Sequence, residues 1–576
     1  MVRRSFHTLK QLMAGSESRM SLFVLILLSI LVLGPLTAVL LQVGEWELLL
    51  EVFRKPLWQR ALHNSLLLST GTAILGTLLG TGLAIFRSLY HFPTARWLDT
   101  CVWLLFITPS FMLAQGWLLF ISHNGIASHL FGLHELSSFM LTPLGLILIM
   151  VLSKFPLAYL AVQAALKWQV RDLSHAARLS GASTLRTWLG VRLPLLRPAI
   201  MSGLLLVFMD TIGDFGLPAS VSAVYRFPTL PYAIYAAIYT SPIRFDMAGT
   251  LSFYLVLIIF VCLVLQSYVM KGARYDHLTS RAQIYEPERM GGRSLLAMLA
   301  NLAFLFVAIG IPIGSTLYIS FVHVPSEGFS PSNLTLNHYV DLFHEASSFA
   351  DSLLLSLKIA STAACAGLLL GLLIAYVLVF ANFRFKQVLE SLSLISLAVP
   401  GIVLGIGYIF FWNQKGLEPF GLLLYGKPQI LVLAAIAGSI PVIIRILSGT
   451  VSSVPRSMLD VAKLQGASLA QRIFLILMPL IRPSLVTAAL AAFGASMFDL
   501  AVNSVLFPPG QYTLPVMINK SFENMKFGQA ASATMLSGAI VTTIIAVLIK
   551  WLNPNKKGAN RWLHKWLHRL SSKSRT

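Results

Sequence analysis

Apolar runs of about twenty residues, parted by short polar stretches, occupy almost the whole chain. Twelve can be marked, at 21–43, 60–85, 98–122, 139–162, 197–218, 247–269, 295–321, 353–380, 388–412, 429–449, 484–506 and 530–552. An α-helix rises about 1.5 Å per residue and the hydrocarbon layer is about 30 Å thick, so each run is long enough to span a bilayer. Lipid offers the backbone no hydrogen-bond partners, which leaves the helix as the default for such runs. The pattern predicts an all-α polytopic membrane protein with about twelve transmembrane helices.

The second half of the pattern repeats the first. The segment HAARLSGASTLRTWLGVRLPLLRP at 175–198 is matched by DVAKLQGASLAQRIFLILMPLIRP at 460–483. Gly181 pairs with Gly466, Ala182 with Ala467, Pro194 with Pro479 and Arg197 with Arg482, always at 466 − 181 = 285 without a gap. Pro109 answers Pro400, Pro156 answers Pro441, and NSLLLS at 64–69 resembles DSLLLS at 351–356. Six spans per half, both starting on the same side, make a parallel repeat. The expected organisation is a first half at 1–270, a polar linker at 271–293, a second half at 294–553 and a basic tail at 554–576.

Composition agrees: 56% of the 576 residues are hydrophobic and 11% charged, against about 25% charged in soluble domains. The net charge of +21 is not a nucleic-acid footprint, because its distribution follows the membrane. With the N-terminus inside, 32 Lys and Arg fall on inner segments or inner span ends and 9 on outer ones, which places both termini in the cytoplasm. The segment 21–43 is too long an apolar run for a cleavable signal. Cys101, Cys262 and Cys365 have no ligand or disulfide spacing and read as small core residues. In the tail, Trp562, Leu563, Trp566, Leu567 and Leu570 share one helical face with Arg561, Lys565 and Arg569 off it, a pattern suited to the anionic inner leaflet or to a merely solvated tail.

The duplicated segment resembles the EAA loop of permease subunits in bacterial ABC importers. His175, Ala176, Ala177, Gly181, Leu193 and Pro194 follow that pattern except at the usual Glu. Asp460, Ala462, Gly466, Met478 and Pro479 follow it more loosely, with Val461 for the first Ala. IGDFGLP at 212–218 is similar to a segment of the iron(III) and thiamine branch, whose fused two-half arrangement this chain also shares. The resemblance implies a type I importer fold in which the loops at about 171–193 and 456–478 each dock one copy of an ATPase. It also implies an extracytoplasmic solute-binding protein that delivers the cargo, and a place in the bacterial inner membrane. ATP and Mg would be bound on the partner subunits and none on this chain; iron(III) is the leading cargo, with thiamine, phosphonate and polyamine behind it. Independently, Gly181 and Gly466 permit the positive φ of a sharp helix–turn–helix corner.

No engine of its own is visible. Gly421, Gly426 and Lys427 imitate a phosphate-binding loop, but Pro428 stands where Ser or Thr must hold Mg. The chain is therefore expected to be a transport subunit and not an enzyme. Ionisable residues inside spans are functional candidates by default. Asp214 recurs as Asp499 (214 + 285) and either lines the solute path or caps backbone donors. Lys154 and Asp210 are matched by Ser439 and Ala495 at the same offset, so the first half alone carries them. An ion pair between them would serve as a structural lock, a gate or a solute filter. Lys358 lies near enough to a span end to snorkel. His123, His129, His134 and Glu135 crowd one outer loop, but their spacing fits no single helical face and no metal site is assigned. The rival architecture, a gradient-driven carrier of the major facilitator type, would carry charged signatures after the second span of each half. Here 86–97 and 381–387 are short and lack them.

Overall fold

The computed structural model describes residues 16–42, 46–122, 125–167, 177–222, 225–271, 288–327, 330–344 and 348–552. Most of the linker and the whole tail, with its amphipathic face, lie outside the described residues, as do His175, Ala176 and His123. Among the described residues, nine helices are long and apolar enough to cross a membrane, and three sharply bent pairs bring the total to as many as twelve.

The bent pairs correct the simple span picture. The third span is Ala95–Ile107 followed by Ser110–Ile121, and the ninth is Lys386–Ala398 followed by Gly401–Trp412, turned by 113°. Each breaks immediately before a proline, at Thr108 with ψ 128° and Val399 with ψ 119°. The pyrrolidine ring excludes the helical conformation from the residue before it, so Pro109 and Pro400 end one helix and start another. The eleventh span, Leu469–Leu480 with Arg482–Met497, turns by 86°. The runs expected at 197–218 and 484–506 also stop early, at Ile212 and Met497, and short helices Gly216–Ser222 and Leu500–Leu506 follow.

Prolines shape the unbroken helices too. Four π-helical turns, Ser29–Leu33, Trp188–Arg192, Phe306–Gly310 and Arg472–Leu477, each end two residues before a proline: Pro35, Pro194, Pro312 and Pro479. A proline cannot donate to the carbonyl four residues back and collides with it, and a widened turn relieves both problems.

The halves are interlocked by an exchange of their first helices. Ser16–Leu41 packs along Gly401–Trp412 of the second half, and the Tyr408 hydroxyl donates to the Leu31 carbonyl at 3.0 Å. A Cβ at Gly407 would lie 2.6 Å from the Pro35 carbonyl oxygen, so only glycine permits this approach. Reciprocally, Gly291–Phe321 packs along Ser110–Ile121 of the first half, with Gly116 pressed on the Pro312 carbonyl. The Asn301 amide donates to the Thr94 carbonyl and hydroxyl at 3.1 and 2.9 Å.

The register of the second and eighth spans, Pro56–Leu89 and Phe349–Phe380, differs from the one the NSLLLS and DSLLLS strings suggest. The Ser65 hydroxyl accepts from the Leu230 N–H at 2.7 Å, and Ser356 does the same for Leu514 at 2.8 Å. Those serines differ by 356 − 65 = 291, whereas the strings pair at 351 − 64 = 287, one helical turn away. Gly76 and Gly80 against the fourth span, and Gly367 and Gly371 against the tenth, repeat at the same 291. Cys101 and Cys262 are buried as expected, but Cys365 is exposed on the eighth span and is not a core residue.

Candidate functional site

Two corners and one charged centre gather the candidate residues. In the first corner Gly181 has φ +83°, its N–H bonds to the Arg178 carbonyl at 3.0 Å, and Ala182 N–H reaches back to Ala177 at 3.0 Å. The second corner repeats this: Gly466 has φ +82°, bonded to Lys463 at 3.0 Å, and Ala467 reaches Ala462 at 3.0 Å. These are glycine-closed helix ends of the six-to-one type. No atom lies within 4 Å of a Cβ built at either glycine, so the glycines are there for their backbone angle and not for space. Ala462 is buried, while Asp460 and the helix-starting Pro194 and Pro479 are exposed.

The sequence reading missed what the corners display. Leu179 is 90% exposed and Leu464, its counterpart at 179 + 285, is 88% exposed. On the helix Arg456–Leu464, Met458 and Val461 are exposed beside Leu464. The common offset was already in the sequence and would have found the pair. The corners also differ in how they are held. Ser468 and Gln471 form a full capping box, with bonds of 2.8 and 3.2 Å, where Ser183 caps Arg186 N–H alone at 3.3 Å. Arg472, 5% exposed, pairs with Glu17 of the first helix at 2.9 Å and touches the Tyr376 hydroxyl at 3.5 Å. Its counterpart is Thr187 (472 − 285), whose hydroxyl bonds back to the Ser183 carbonyl at 3.0 Å.

The charged centre sits among the helix breaks. Lys154 Nζ lies 2.6 Å from an Asp210 carboxylate oxygen and 2.6 Å from one of Asp214. The other Asp214 oxygen accepts from the Leu217 N–H at 3.0 Å and from the Ser110 hydroxyl, just after the Pro109 break, at 3.0 Å. Asp214 thus caps a helix start and is 4% exposed, Lys154 is 12% exposed, and Asp210 is 46% exposed. Asp499 performs the same cap for Val502 at 3.1 Å, and Ser439 stands at the position matching Lys154. Ser439 instead bonds to carbonyls of Ile436 and Ala363 at 2.8 and 3.3 Å. The breaks of the two halves meet, since Gly213 lies against the Pro400 ring.

The related short helices Leu230–Tyr239 and Leu514–Glu523 follow the helix breaks in the two halves. Tyr239 stacks on Phe507 with ring centres 5.8 Å apart and planes 4° from parallel. Lys520 Nζ sits 4.7 Å from the Phe507 ring and 4.1 Å from that of Tyr512. Lys358 is exposed. His129 lies in the last turn of the short helix Ile126–Phe131 and His134 starts the next, His134–Met140.

This duplicated architecture has a counterpart among known families. The model for the inner-membrane component of binding-protein-dependent transport systems matches residues 73–273 and 367–557, one stretch in each half and more than half of the chain together. The chain belongs to this family. It is a multi-pass inner-membrane permease of an ABC importer, with both family repeats in one polypeptide. The ferric transport system permease protein FbpB of Actinobacillus pleuropneumoniae is 24% identical over 497 residues, 85% of this permease and 70% of that protein. A putative FbpB of Haemophilus influenzae is 26% identical over 456 residues, covering 78% and 70% of the two chains. The putative 2-aminoethylphosphonate permease protein PhnV of Salmonella choleraesuis is 26% identical over 274 residues, 47% of this permease and 98% of PhnV. PhnV thus has the length of a single half.

Proposed function

We propose that this permease carries iron(III), handed over by an extracytoplasmic binding protein and driven by ATP hydrolysed on two separate ATPase subunits. The duplicated glycine corner carries the reading. Two exposed leucines, Leu179 and Leu464, ride on matching rigid turns and offer a partner a pair of equivalent apolar knobs. Two equal knobs suit two copies of one ATPase, which would hold ATP and Mg while this chain holds neither. The corners, the linker and both termini lie on the cytoplasmic face, where the basic residues gather. His175, in place of an acid, weakens one polar contact to the first ATPase copy. The solute passes between the halves, along the fifth and eleventh spans, near Lys154, Asp210, Asp214 and Asp499. Similarity to ferric permeases over most of both halves supports iron.

Phosphonate is the second reading, favoured by the similarity of one half to PhnV; thiamine and polyamine share the class. The test is uptake of radiolabelled ferric iron into vesicles holding the chain, an ATPase and a binding protein encoded in the same genome. Uptake should need all three, and Gly181→Val with Gly466→Val should abolish it, because a β-branched residue resists positive φ. Cargo-stimulated ATPase without iron uptake would redirect the search to phosphonate. Uptake by the chain alone, insensitive to ATP and collapsed by dissipating the ion gradient, would overturn the importer reading.

A further inference from the structure

The half-exposed carboxylate of Asp210 lies well inside the membrane. It is 210 − 197 = 13 residues beyond Arg197, about 20 Å along the helix, and its partner Lys154 is 154 − 143 = 11 residues from the start of its span, about 17 Å. A carboxylate that is 46% exposed at such a depth cannot face hydrocarbon, so it faces an aqueous passage. The matching position of the other half agrees: Ala495, at the 285 offset on the eleventh span, is exposed too.

We propose that Asp210 is the acid that makes this passage select cations, and that Lys154 is its tethered counter-ion, shifting wholly onto Asp214 whenever a cation engages Asp210. The geometry supplies each requirement. Lys154 already touches both acids at the same 2.6 Å, so exchanging one for the other needs little travel. Asp214 is fixed by Ser110 and the Leu217 N–H and nearly sealed, so it is a standing place for the ammonium. The ammonium therefore never stands unpaired, which would be costly at this depth. Two carboxylates against one ammonium leave a charge of 1 − 2 = −1 on the wall, and it attracts cations into a narrow passage. The second half has Ser439 and Ala495 at the matching positions, so the passage carries one such acid and not a symmetric pair. The inference rests on the importer reading and deepens it: the cargo crosses this point as a cation.

The test uses the full chain in nanodiscs with Cys101, Cys262 and Cys365 replaced by Ser, and Ala495→Cys as the reporter. Its reaction rates with trimethylammonium and sulfonate methanethiosulfonate reagents are compared with those of a free thiol. We expect an excess preference for the cationic reagent of roughly tenfold, retained in Asp210→Glu and lost in Asp210→Asn. The asparagine keeps the side-chain shape and leaves Lys154 paired with Asp214, so it should fold; monodisperse elution checks this. A reporter inert to both reagents, or a preference that Asp210→Asn leaves unchanged, overturns the proposal. In the complete transporter Asp210→Asn should lower iron uptake about tenfold. Wild-type vesicles that take up no iron, with the thiol preference intact, would sink the iron reading while supporting the cation-selective passage.

Discussion

The two halves of this permease share one backbone plan but hold it together by different chemistry. The first half uses charge. Lys154 bridges Asp210 and Asp214. Arg87 and the Tyr159 hydroxyl converge on Asp99 at 2.9 and 2.8 Å. Arg244 joins Glu51 to Asp246 at the outer corner. The second half puts neutral groups at the corresponding places: Ser439 for Lys154, Ala495 for Asp210 and Ile444 for Tyr159 (159 + 285). At its outer corner the His338 ring rests on Gly528, which follows Phe527 at the start of its helix as Asp246 follows Phe245 in the first half. A fused chain lets the two copies diverge in this way, since neither must pair with an identical partner. One side of the passage has become a charged wall and the other a neutral one.

The sharpest break in the comparison is Lys154→Met. Removing one member of a buried ionic group leaves the others uncompensated and costs about 3–5 kcal/mol. Thermal unfolding in nanodiscs should show the loss, and a second change, Asp214→Asn, should recover part of it because asparagine still caps Leu217. Ser439→Ala, at the equivalent place, removes only neutral hydrogen bonds, one within its helix and a longer one to Ala363, and should cost about 1 kcal/mol. Equal losses in the two halves would erase the distinction.

The exchanged first helices are the shared feature, and they should respond alike. Gly116→Ala and Gly407→Ala each drive a methyl into a proline carbonyl and should cost about 1–3 kcal/mol by overpacking. The measurement is the unfolding midpoint of each variant. If only one destabilises, the interlock is one-sided.

The two corners should separate again. Arg472→Met removes the tie from the second corner to Glu17, while Thr187→Val touches only a local bond in the first. We expect Arg472→Met to lower solute moved per ATP several-fold and Thr187→Val to leave that ratio near wild type, read from parallel uptake and phosphate-release assays. Glu17→Gln should fall between them, keeping a hydrogen bond without the charge.

These contrasts mark what the sequence could and could not reveal. The spans, the repeat and the two glycine corners were legible because each depends on local pattern, and Gly181 and Gly466 adopt the positive φ their context demands. The breaks at Pro109 and Pro400 were signalled by the prolines, but counting apolar residues is blind to the extended backbone a proline imposes on its predecessor. The register error between the second and eighth spans came from strings whose serines recur every fourth residue, so a slip of one turn preserves the apparent match. The third partner in the Lys154 cluster was hidden because Asp214 can cap and pair at once only after the chain breaks beyond Ile212. Glu17 and Arg472 are 472 − 17 = 455 residues apart, and no local rule joins them.

The smallest expected effect lies at the outer corners and tests the charge-against-packing contrast by pH. Arg244 hydrogen-bonds Glu51 and, with a smaller contribution from Lys55, holds its carboxyl below the ordinary 4.5 against the opposing pull of burial. A depressed carboxylate contributes stability that is present above 4.5 and is lost as the pH falls through the lower folded value. Arg244 and Glu51 are part-exposed, so the loss should stay within about 1 kcal/mol. Hydrogen exchange in Trp46–Arg54 should therefore quicken modestly below that range, and Glu51→Gln should shrink the pH dependence to what Asp246, also held low by Arg244, contributes, while raising exchange at neutral pH. The second corner has no carboxylate in the corresponding contact, because His338 packs directly on Gly528. Its helix Asn337–Asp341 should show no matching acid transition from that contact. Should both corners loosen together in acid, the difference assigned to them here would have to be given up, and the charged character of the first half would reduce to its membrane centre.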